Sequence, residues 1–69
     1  MTPAQFYAVA QSIRSREPVR TAARLVLVDG ATVPDAAETV GVSRPSAHNC
    51  IARILAAHRL MLDAYKGST

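Results

Sequence analysis

At 69 residues the chain has room for a single hydrophobic core. Its one cysteine, Cys50, rules out an internal disulfide, and with only two histidines it makes no metal-ligand cluster, which leaves a partner chain as the source of extra stability for so small a domain. Eight basic residues oppose five acidic ones, and the arginine-rich excess suits phosphates and guanine edges, although an ordinary basic surface would have the same balance.

The start of the chain does not read as a secretory signal, since Gln5 and Gln11 interrupt its apolar stretch. The longest strongly apolar run, Leu25-Val26-Leu27-Val28, is far too short for a bilayer. The expectation is a cytoplasmic protein with no membrane partner.

Four helical segments follow in order. Thr2 caps the first, Pro3 suits its first position and Gln5 sits where a capping-box partner belongs. Phe6, Val9, Ala10 and Ile13 then form one apolar face, and Ser15-Arg16-Glu17-Pro18 ends the segment. The second helix is expected from about Pro18 to Asp29, with Val19, Ala22, Ala23, Val26 and Leu27 as its stripe and Gly30 as its stop. Thr32 begins a short third helix that ends at Gly41, with Pro34 early and Asp35 in the first turn. Ser43 caps the fourth, in which nothing after Pro45 breaks the pattern before Gly67, so it is expected to reach Tyr65 or Lys66. The fold class is all-α: a bundle of about four helices with a long C-terminal one.

Residues 33–54 carry the functional signal. Two helices that cross steeply over a short turn need a small residue at the crossing, a glycine to open the turn, an apolar plug and a cap; Ala37, Gly41, Val42 and Ser43 stand at those positions. Ala36, Val40, Ala47, Cys50, Ile51 and Ile54 supply inward apolar positions. The alternative, a mere turn between packed helices, leaves the outer face of the fourth helix unexplained. That face carries Arg44, Ser46, His48 and Asn49, which suit base edges in the major groove. Ser43, Arg53, Arg24 and Arg20 are candidate phosphate contacts. Among Arg14, Arg16, Arg20 and Arg24, which flank the join of the first two helices, one or two are expected to reach phosphates. No acid occurs between Ser43 and Leu62 to repel a phosphate.

The run Ala23-Arg24-Leu25-Val26-Leu27-Val28-Asp29-Gly30, with Ala36-Ala37, Gly41-Val42-Ser43-Arg44 and Ile51-Ala52-Arg53-Ile54, resembles the KorA/TrfB family of plasmid transcriptional repressors, as does the opening Thr2-Pro3-Ala4-Gln5-Phe6. The resemblance spans about Thr2 to Ala57. It implies repression of plasmid promoters by a dimer on a palindromic operator, with Arg44, Ser46, His48 and Asn49 on the base-reading helix. Asn49 stands where a glutamine is usual and Pro45 where a small flexible residue is usual. The family has a further C-terminal dimerisation segment, so here the dimer is expected to form differently.

The remaining residues have bland readings. Cys50 reads as a small core residue rather than a redox sensor. His48 suits either DNA contact or plain exposure, and His58 an interface or packing position. Asp29 and Asp35 read as a loop anchor and a helix-start charge. With no nucleophile triad, phosphate-cradling glycine loop or metal set, neither an enzyme nor a cofactor is expected. Ile51, Ile54, Leu55, His58, Met61, Leu62 and Tyr65 recur at steps of three and four. Residues 55–66 are therefore a candidate self-association segment, with Leu60, Met61, Leu62 and Tyr65 exposed in a monomer. The competing arrangement folds this segment back onto Phe6 and Ile13. The alternative to a repressor is a protein-interaction module that binds a sigma factor or larger regulator through the last helix.

Overall fold

Thr2 and Gln5 cap the first helix reciprocally: Thr2 Oγ1 accepts the Gln5 N–H at 3.2 Å, and Gln5 Oε1 accepts the Thr2 N–H at 3.0 Å. This is α1, Pro3–Ser12, in a computed structural model that describes the backbone of residues 1–67 and the side chains of residues 1–64. Three more helices follow: α2 Val19–Leu27, α3 Val33–Val40 and α4 Arg44–Gly67. No strand occurs among the described residues, so the chain is the small all-α bundle that its periodicity implies. Among those residues no helix is long and apolar enough to cross a membrane.

The join of α1 and α2 is tighter than the sequence suggests. α1 stops at Ser12, and Arg14 takes a left-handed conformation at φ 54. That turn lets the Arg14 N–H reach the Gln11 carbonyl and the Ser15 N–H reach the Ala10 carbonyl, both at 3.1 Å. Ser15 is buried, and its hydroxyl also donates to the Ala10 carbonyl at 3.1 Å. α2 is shorter than the expected span from Pro18 to Asp29. Gly30, at φ 79, turns the chain back, and the Ala31 N–H bonds the Leu25 carbonyl at 2.9 Å.

Thr32 caps α3 by accepting the Asp35 N–H at 3.3 Å. Gly41, at φ 84, ends it: its N–H and that of Val42 both bond the Ala37 carbonyl, at 2.9 and 3.0 Å. Only three residues therefore separate α3 from α4.

The interior has two parts. One gathers Phe6, Val9, Ala10, Ala23, Cys50, Ile51 and Ile54 between α1, α2 and α4. The other consists of four alanines, Ala22, Ala36, Ala37 and Ala47, with Val40 and Val42 packed against them. Such small side chains let the helix backbones approach closely where they cross.

α4 runs past this interior without folding back onto α1. Leu60, Met61 and Leu62 are 69%, 42% and 50% exposed. Tyr65, the fourth expected member of this patch, lies outside the described side chains. Leu55 departs from the expected inward stripe and is exposed, because on a helix of about 3.6 residues per turn it falls off the line of Ile51, Ile54 and His58. The overhang gives the molecule dimensions of 42 × 19 × 15 Å.

Candidate nucleic-acid interface

α3, the turn Gly41-Val42-Ser43 and the first turns of α4 form a helix-turn-helix whose inner side is the alanine crossing. Ser43 fixes the start of α4: its Oγ accepts the Ser46 N–H at 3.2 Å and donates to Ser46 Oγ at 2.8 Å. That pairing leaves the Ser46 hydroxyl proton available to an outside acceptor. Arg44 follows at the first helical position, where a cation opposes the helix dipole, so helix stability does not account for it.

Arg44, Ser46, His48 and Asn49 are all exposed. Among the described residues no hydrogen bond or ion pair engages Arg44, His48 or Asn49. The four do not share one edge, however. At about 3.6 residues per turn, Ser46, Asn49 and Arg53 lie on one flank of the outer face and Arg44 and His48 on the other, with Pro45 and Ala52 between. A surface this wide can meet both walls of a groove.

Beside the Asn49 flank lies an open groove of about 510 Å³ between α4 and the α1–α2 join. Ser46, Asn49 and Arg53 form one wall, Arg14 and Arg16 line the other, and no acid lines it. Arg53 Nη2 donates to the Ile13 carbonyl at 3.4 Å and so answers the negative end of α1.

Two of the candidate phosphate contacts have different surroundings from those expected. Arg20 is half-buried, with Nε donating to Ser15 Oγ at 3.1 Å and Nη2 donating to the Ser15 carbonyl. It is a strut of the α1–α2 join rather than an outward cation. Arg24 pairs with Asp29 at 3.9 Å and lines a separate hollow with Phe6, Tyr7 and Thr21, to which α4 contributes nothing. The sequence shows the four arginines near the join but not which way each turns; Ser15 engages Arg20 and Asp29 engages Arg24.

Cys50 is buried on the inner face of α4, as expected. Burial pushes its thiol up, Glu17 adds to the rise, and Arg53 and Arg20 pull against it. A protonated, buried thiol is a poor nucleophile and a good space-filler. His58 is half-buried on the same stripe.

No family model, curated protein or solved structure matches the chain.

Proposed function

We propose that this protein is a sequence-specific double-stranded DNA-binding repressor of plasmid-type promoters, acting as a homodimer on a palindromic operator. The observation that carries the reading is the start of α4: an acid-free outer face with Arg44, His48 and Asn49 unengaged, standing on a helix-turn-helix crossing made of alanines. In this reading α4 enters the major groove and Arg44, Ser46, His48 and Asn49 meet base edges. Ser43 and Arg53 meet backbone phosphates on either side of the base-reading residues. Arg20 leaves the phosphate set because Ser15 engages it, and Arg24 is at most peripheral. A dimer so placed would cover a promoter and exclude polymerase from it.

Selection of binding sites from random duplexes tests the whole reading. Enrichment of one palindrome is expected. Recovery of no sequence above background would overturn sequence-specific binding. The second reading, a module that docks another regulator, draws on the exposed end of α4. It gains if the protein selects no duplex.

A further inference from the structure

The three left-handed helix-end turns among the described residues are not filled alike. Gly30 and Gly41 occupy the positive-φ positions after α2 and α3, but Arg14 occupies the one after α1. Glycine takes that conformation freely, whereas a residue with a Cβ is destabilised by it. A strained position kept by a long cationic residue needs another explanation.

The explanation lies in where the turn faces. Arg14 and Arg16 line the groove whose other wall is the Asn49 flank of α4. Arg53 joins them across the α1–α2 join. Three guanidiniums around one open groove with no acid in its lining make an anion site. It borders the helix proposed to read bases.

We infer that Arg14 and Arg16 are DNA-binding residues, and that the α1–α2 join forms a second wall clasping a backbone phosphodiester beside the base-reading helix. The inference rests on the reading of α4 as that helix. Phosphate contacts position a protein without reading sequence, so Arg14 and Arg16 act on all duplexes equally.

The test uses Arg14→Gly and Arg16→Ala in the full chain. Each variant is melted, then titrated by fluorescence anisotropy against a fixed mixed-sequence duplex and against the duplex that the wild type selects. Arg14→Gly is expected to raise the melting temperature by roughly 5 °C, because the strain is relieved. It is also expected to weaken binding to both duplexes about tenfold and to flatten the salt dependence by about one unit of slope. A more stable protein that binds less well separates the contact from any loss of fold. Arg16→Ala should weaken both duplexes alike at unchanged stability. Wild-type affinity and salt slope in both variants would overturn the inference while leaving base reading intact. A wild type that binds neither duplex would overturn both readings together. Sodium pyrophosphate serves as a free-anion probe. If it stabilised the wild type beyond chloride of matched ionic strength, Arg14→Gly abolished that effect, and both variants kept wild-type duplex affinity, the groove would belong to a free phosphate and the duplex assignment would fall.

Discussion

Asn49 and Arg44 lie on opposite flanks of the outer face of α4, so their contributions to base reading should be separable. Asn49→Ala and Arg44→Ala are each expected to cost about 1–3 kcal/mol against the selected duplex, with a smaller loss on unselected DNA. Each should relax preference at different base pairs, because the two side chains diverge. Retention of wild-type preference by both variants in repeated selections would remove them from the base-reading set. Cys50 offers a prediction of another kind. Its folded thiol holds a proton to higher pH than it does in the unfolded chain, because burial disfavours the thiolate. The stability that this contributes is fully present below the ordinary thiol value of about 8.5 and is lost as pH rises through the elevated folded value. Urea melts across that alkaline window should show stability falling in the wild type, and less steeply in Cys50→Ala. Equal slopes would show that the thiol does not titrate differently on folding.

Between elements, the alanine crossing sets the geometry of the candidate interface. Ala47 is fully buried against Ala22, Ala36 and Ala37, so a larger side chain there must push α4 away from α2 and α3. Ala47→Leu is expected to destabilise the fold by about 1–3 kcal/mol in a urea melt, and to weaken DNA binding at temperatures where it remains folded. A neutral result would mean that the helices are not held at close approach. This crossing was legible in the sequence because each position has one physical requirement: small at Ala37, left-handed at Gly41, apolar at Val42, a hydroxyl at Ser43. The helix starts were legible for the same reason, with Thr2, Thr32 and Ser43 all acting as caps. The α1–α2 join was not. An arginine at positive φ has no sequence signature, and Ser15 belongs to no periodic stripe. The directions of Arg14, Arg16, Arg20 and Arg24 depend on that join, so the groove beside Asn49 could not be read in advance. Leu55 was misplaced for a simpler reason: steps of three and four drift around a straight helix, and it lies beyond the edge of the buried face.

The whole molecule is longer than its interior requires. A chain of this length packs to a radius of gyration of about 11 Å, and here it is 12.2 Å. The excess is the end of α4, whose 24 residues make a rod of about 36 Å against a body 19 Å by 15 Å across. Among the described side chains Ile54 is the last fully buried one on that rod, Ala57 and His58 are half-buried, and Leu60, Met61 and Leu62 stand in solvent. Leu55 and Leu62, two turns apart on one face of the rod, are both exposed, and such an apolar line favours association. On the proposed reading of α4 as an operator-binding helix, a two-fold pair has a further consequence. It places two copies of the base-reading face at a fixed separation, and about 34 Å, one helical turn of DNA, is what a palindrome demands. One weak half-site reader thereby becomes a bivalent one. Leu62→Glu puts a charge into that surface without touching the interior, so the monomer fold should survive while the pair separates. The wild type is expected to sediment as a dimer at micromolar concentration, with a melting temperature that rises with concentration. Leu62→Glu should sediment as a monomer with a concentration-independent melt. It should keep its affinity for a half-site duplex and lose the added affinity for the full palindrome. A wild type that stays monomeric across that range and binds its operator as a single copy would show that the exposed end of α4 serves no self-association.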